Sequence, residues 1–482
     1  MITRIFCFQK HCIIFEMVVC ALIVALLINI PAIKADDDEP YRLTLQESIT
    51  IALEHSTFVK SAQETLHSAD FERKAALTEF FPKVGTYYAY TRYNEPPHMK
   101  TPAGDPYAYP TDIPLGRKNR YQWNTYLTQP IFTGGAIASS YDIARLNTQM
   151  ARQNLTAAQQ NIILQVKEAY FNILKAEKIR LVAEQAVVQV QSHLDDAQAF
   201  YQEEMIPRND LLEAEVRHAQ AKQDLIHSQN TEHITRAHFN TVLRRDISTP
   251  VAIEDILTEP AGEFSLDDCL KEARQQRPEL REAELHIEQK EKTVSFEQSS
   301  YFPQIALVAD YQKMGDQIDL RGNPYEDSES WTVSGVLKWE FWEWGKKHYR
   351  ISSRRAELQR ARERKTQIDD VIAFEVKQSW LRLDEAQNNI AVARSALEQS
   401  KENLRLNREL YREQMANTTD VLDAQTLMNE AFTNYYNALS NYHIARSRLE
   451  YAMGRRWDAG DKQYLQHTPV PEETMFTPEE IK

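Results

Sequence analysis

Two runs of helix-forming residues, Ala136 to Leu243 and Lys346 to Met453, lie in register 210 positions apart, and this duplication constrains the chain more than any other feature. "QVKEAYFNILKAE" (165–177) answers "EVKQSWLRLDEAQ" (375–387), and "MIPRNDLLEAE" (205–215) answers "MANTTDVLDAQ" (415–425). Each run holds one place where a helix breaks, at the same register in both. Each therefore reads as two antiparallel helices, 136–204 with 208–245 and 346–414 with 418–454. At about 1.5 Å rise per residue the longer members reach roughly 100 Å. So long a helix belongs to a coiled coil, a repeat or a membrane span, and these are too polar for the last. Val376, Leu383, Ile390, Leu397, Leu404 and Tyr411 recur every seven residues. Val166, Ile173, Arg180, Val187, Leu194 and Tyr201 keep that period with one charged interruption. A sustained seven-residue apolar period makes neighbouring helices wrap around each other.

The segments before each run repeat too, at an offset of 221. "LTLQESITIALEHS" (43–56) and "FSLDDCLKEARQQRPEL" (264–280) are helical in spacing. Thr44 three residues before Glu47, and Ser265 before Asp268, make capping-box patterns. The helical pattern runs to "FFP" (80–82) and "YFP" (301–303), where proline stops it. The period then changes to two. Hairpins are expected over about 83–132 and 304–342, with Pro130 marking a strand end because it cannot donate to a ladder. The fall in offset from 221 to 210 inside the hairpin makes the first loop about eleven residues longer. Repeat 1 thus spans 36–250 and repeat 2 spans 264–456, with a linker at 251–263 and a polar tail at 457–482.

Residues 1–35 read as a secretory signal peptide: Arg4 and Lys10, an apolar core from Val18 to Ile30, then "IKA" before Asp36. Three of the four cysteines leave with it, and Cys269 alone forms no intrachain disulfide. Without the leader the chain carries 53 basic and 69 acidic residues, a net of −16, which argues against nucleic acid as a partner.

The four strands have apolar outer faces with Tyr and Trp near their ends, and about ten residues suits a tilted transmembrane strand. A membrane sheet must close, because open edges cannot be satisfied in lipid. Four strands cannot close a useful barrel, so several copies must contribute, for instance twelve strands from three chains. The fold class expected is mainly α with membrane β: a tandem-repeat coiled-coil α-barrel, with four strands per chain in a trimeric 12-stranded outer-membrane β-barrel.

This order of helix, "FFPK" or "YFPQ", hairpin, "QPIFTGG" or "WEFWEWG", long helix, turn and helix resembles the TolC-type outer-membrane efflux protein family, from Leu43 to about Arg455. The resemblance implies a homotrimer in outer-membrane lipid with a periplasmic α-barrel. It implies a periplasmic adaptor (membrane fusion) protein and an inner-membrane transporter or secretion ATPase as partners. The function expected is a passive export duct of a tripartite efflux or type I secretion system, opened at its periplasmic end when partners dock. The alternative is a periplasmic coiled-coil scaffold or adaptor that forms no channel.

No phosphate-cradling glycine loop, GxSxG elbow or HExxH motif is present, so no enzyme, cofactor or metal site is expected. The informative place is the helix-to-helix turn. Asp210 with Glu213, and Asp420 with Asp423, are acid pairs three residues apart just inside the second helices. Acids are favoured there by the helix dipole alone. In an oligomer they would also recur as carboxylate rings, which attract cations. The resemblance assigns Asp210, Asp420 and Asp423 to a closed periplasmic entrance, and repeat symmetry extends that role to Glu213. It makes the tips Glu204, Met205, Ile206, Pro207, Gln414, Met415, Ala416 and Asn417 the adaptor contact. The family's turn usually has a glycine at positions matching Glu204 and Gln414; both are missing here.

Overall fold

The computed structural model describes residues 42–99, 113–259, 264–322, 327–413 and 415–457. All elements below lie in the unit that begins at Thr44. The expected signal peptide, most of the tail and the tip residue Gln414 lie outside the described residues.

Thr44 starts α1 (Leu45–His55) with a full capping box to Glu47. The helix does not run on. Ser56 leaves helical geometry, and its hydroxyl accepts from Val59 N at 3.3 Å to start α2 (Thr57–Thr78). In the second copy α5 (Leu266–Gln276) ends at Arg277, and Pro278 opens α6 (Pro278–Gln298). Proline suits a first helical position because the N–H it lacks has no partner there. The continuous pattern read from the sequence is thus two helices in each copy. Ser265 makes no side-chain cap bond, so the expected second capping box is absent.

The strands are β1 (Lys83–Arg92), the two-residue β2 (His98–Met99) and β3 (Ile113–Pro114), β4 (Asn119–Phe132), β5 (Gln304–Gly315) and β6 (Glu329–Lys338). β1, β4, β5 and β6 form one antiparallel meander in that order. Pro130 does not end β4: the register shifts between Pro130 and Phe132, and pairing resumes at Phe132. The register sorts the sheet into two faces. Tyr88 lies opposite Trp123, Val84 opposite Leu127, Tyr311 opposite Trp331, and Ile305 opposite Leu337, all on one face. The other carries Tyr87, Asn124, Gln312 and Ser330 in one cross-strand row. The first face is exposed and aromatic, with Trp331 at 74% exposure. β1 and β6 are the sheet's outer edges.

The long helices follow each hairpin: α3 (Ala136–Gln202) then α4 (Arg208–Val242), and α7 (Lys346–Arg412) then α8 (Thr418–Ala452). α3 packs on α4 and α8, and α7 on α8; nearer the sheet, α2 and α6 lie along α3 and α6 along α7. The seven-residue seam of α7, Val376 through Tyr411, is buried throughout. In α3 the charged interruption is compensated. Arg180 lies 2.7 Å from buried Glu232 of α4, and Arg236 holds Glu232 at 2.7 Å and Glu177 at 3.0 Å. Burial raises the Glu177 pKa, against the pull of Arg236. Among the described residues no helix is long and apolar enough to cross a membrane.

The segment between the repeats is a strap rather than a loose tether. Val251, Ile253 and Leu257 are buried. Tyr170 donates to the Glu254 carbonyl at 2.7 Å, Lys178 pairs with Asp255 at 2.6 Å, and Tyr435 donates to Glu259 at 3.0 Å.

Candidate functional site at the helix tips

Both long helices end in a tight reversal. α3 closes with Met205 N on Phe200 O at 2.9 Å and Glu204 N on Tyr201 O at 3.0 Å. This bond pair requires a left-handed residue between helix and loop, where glycine is favoured. Glu204 takes that place, at φ 58°. The second copy repeats the first of these bonds, Met415 N on Leu410 O at 2.8 Å. Met205 and Met415 are exposed, while Ile206 packs against the small buried cluster of Leu194, Ala197 and Ala214. Ala416 packs against the main core.

The two restarts differ. Pro207 precedes α4 without a side-chain cap, whereas Asn417 caps α8 in a box with Asp420. The four acids therefore divide by environment. Asp420 is engaged in capping its own helix. Asp210 is half-buried and accepts from the Asn209 side chain at 2.8 Å. Glu213 and Asp423 reach across between repeats: Thr419 donates to Glu213 at 3.1 Å, and Arg217 pairs with Asp423 at 3.2 Å. Together they tie α4 to α8 at one end.

Behind this surface the tip is packed. Tyr411 lies 5.1 Å from the His193 ring and 5.7 Å from Phe200, centroid to centroid. Its hydroxyl is 3.5 Å from Thr418. Burial raises the Tyr411 pKa, with Asp196 and Asp210 adding to it and Thr418 opposing. Burial lowers that of His193, Arg408 adds to the shift, and Asp196 opposes it. Gln425 donates to Gln189 at 2.8 Å, a buried bond between α8 and α3. Arg217 and Thr419 are the residues that repeat-by-repeat reading misses. The counterpart of Arg217 is Leu427, and that asymmetry was the available signal.

The outer membrane efflux protein family matches residues 49–242 and 269–455, one copy each. The chain belongs to that family. It is an outer-membrane efflux duct, not a scaffold, and its helical part extends into the periplasm. The family is one of transport ducts rather than enzymes. No curated protein sequence matches this outer membrane efflux protein. Solved structures match its fold. The CmeC outer membrane channel of Campylobacter jejuni is 14% identical at TM-score 0.71, with 88% of this chain and 89% of that one covered. VceC, an outer membrane protein of Vibrio cholerae, is 16% identical at 0.71, covering 85% and 96%. The open state of the MtrE outer membrane channel of Neisseria gonorrhoeae is 18% identical at 0.69, covering 85% and 88%.

Proposed function

We propose that three copies of this protein form a passive export duct: twelve strands closed in the outer membrane above a periplasmic tube of long helices. The observation that carries the reading is the four-stranded sheet. One face is apolar and exposed, the other polar, and its outer edges β1 and β6 end the sheet in this chain. Lipid tolerates no open edge, so β6 of one copy must meet β1 of the next. The polar rows then line the lumen.

The duct works with a periplasmic adaptor and an inner-membrane transporter, in a tripartite efflux or type I secretion system, and the transporter supplies the energy. The adaptor meets Glu204 to Pro207 and Gln414 to Asn417. The acids Asp210, Glu213, Asp420 and Asp423 ring the periplasmic entrance, where carboxylates favour cations. Docking opens the entrance by parting α4 from α8. What supports this is the position of the Arg217–Asp423 and Thr419–Glu213 contacts: they are exposed, few, and between elements that otherwise touch little.

Migration on an unheated gel of the purified outer-membrane fraction, with mass measured in detergent, tests the assembly. The expected result is a heat-modifiable species of three chains. A stable folded monomer would overturn it.

A further inference from the structure

The two copies differ in chemical character where β6 passes into α7. That stretch reads "KWEFWEWGKKHYRISSRR" (338–355), where the first copy has "TQPIFTGGAIASSYDIAR" (128–145). It holds six cationic and two anionic side chains, a net of +4, against one of each in the first copy. The whole chain is at −14. Three of the seven tryptophans lie in it.

The aromatic side chains are held outward. Phe341, Trp342 and Trp344 are 77%, 68% and 86% exposed. Trp344 has φ 51°, in the left-handed region that its counterpart Gly134 occupies at φ 63°. A bulky residue there is disfavoured, and among the described residues its ring pairs with that of Trp342, at 5.7 Å between centroids. Internal packing does not account for it. Lys347 is buried over the Tyr301 ring and donates to the Glu340 carbonyl, fixing the helix start to the strand end. Lys346 pairs with Glu343 at 3.1 Å, and Arg354 with Glu357 at 2.7 Å. Arg350 and Arg355 are exposed and make no ion pair among the described residues.

Trp339 and Phe341 follow directly on β6, which ends at Lys338 and carries Trp331, Val333 and Leu337 on the apolar face of the sheet. The band stands where the sheet meets the helices, hence at the periplasmic leaflet. Aromatic rings settle at headgroup depth, and cations in the first two turns of the helix that follows, four residues apart on one face as Lys346 and Arg350 are, reach phosphate oxygens. We propose that Lys346 and Arg350, beneath the Trp339–Trp344 aromatic band, bind the anionic phosphate headgroup of periplasmic-leaflet glycerophospholipids, at one site per chain. The site rests on the outer-membrane placement of the sheet, and its occupant follows from charge complementarity and continuity with the lipid face.

The test is tryptophan quenching of the reconstituted oligomer in mixed vesicles of phosphatidylglycerol and phosphatidylcholine, with one lipid brominated at a time. The wild type should be quenched about twofold more by brominated phosphatidylglycerol than by brominated phosphatidylcholine. Lys346→Gln/Arg350→Gln should bring that ratio to one, and Arg355→Gln, on the opposite face of α7, and its first-copy counterpart Arg145→Gln should leave it unchanged. Raised salt should lower the wild-type ratio, which tests the site without any variant. Equal quenching by both lipids in the wild type, a ratio that survives the double variant, or a band shielded from both lipids by a second copy would overturn the proposal. Failure of the duct reading looks different: the protein would not float with vesicles at all.

Discussion

Arg217 Nη2 of α4 lies 3.2 Å from Asp423 Oδ1 of α8, joining the third turn of one helix to the second turn of the other through residues 206 apart in sequence. One turn nearer the tip, Thr419 and Glu213 are joined at the same separation. The second helices of the two repeats are thus laced side by side at the tip. Both partners of the ion pair are well exposed, at 40% and 59% of their side chains. A double-mutant cycle with Arg217→Ala and Asp423→Ala should therefore return only about 0.2–1 kcal/mol of coupling, falling as salt rises. So weak a tie suits a contact that docking must break. A coupling of several kcal/mol would mark it as a structural lock instead.

Among the described residues three helix ends close on a left-handed residue: Glu204 at φ 58°, Arg244 at φ 59° and Gly454 at φ 74°. Only the last is glycine. Glu204→Gly should raise unfolding stability by up to about 1 kcal/mol, since the left-handed cost exceeds what glycine loses in entropy. Gly454→Ala should do the reverse, and more strongly: an added Cβ would stand 2.8 Å from Arg277 N. Denaturant midpoints of the detergent-solubilised protein check both. A neutral Glu204→Gly would show that the tip relaxes independently of the stem.

Arg180 breaks the α3 seam but is held by Glu232, whose side chain is 4% exposed. In the second copy their counterparts are Ile390 and Tyr442, both buried. Arg180→Ile alone should destabilise the stem by about 1–3 kcal/mol, because it removes one of the partners of a buried carboxylate. Arg180→Ile/Glu232→Tyr should recover most of that loss. Thermal midpoints of the two variants decide it; equal losses would mean that the ionic network carries nothing of its own.

His193 is buried beside Tyr411, with Asp196 on its own helix and Arg408 on α7 as the charges facing it. Burial depresses its pKa below the ordinary 6.5. The folded tip therefore prefers the neutral ring. That contribution is present above about pH 6.5 and is lost as pH falls through the depressed value. Amide exchange around 190–200, corrected for intrinsic rates, should accelerate on acidification in the wild type and not in His193→Gln. The same acceleration in the variant would assign it to another group.

The stem was legible because a seven-residue period is a burial pattern: Val376, Leu383, Ile390, Leu397, Leu404 and Tyr411 are all inside. Arg180 was visible as a fault in that period. Its partner was not, since Glu232 lies on another helix and partner choice is tertiary. The break at Ser56 was hidden because the helical spacing of "LTLQESITIALEHS" carries on past it, while a serine can cap as well as continue. At the tip, the acids were legible as helix-start residues, and the structure gives Asp420 that capping role. Arg217 was missed because symmetry between repeats guided the reading, and Leu427 stands at the matching position.

Single-channel recording in planar bilayers tests the central claim, that this oligomer is a duct with an acidic, laced entrance. The wild type should conduct weakly and prefer cations. Arg217→Ala should enlarge the conductance, and Asp210→Ala/Asp423→Ala should enlarge it and weaken the cation preference. Folded, heat-modifiable oligomer that inserts and passes no current would contradict the account.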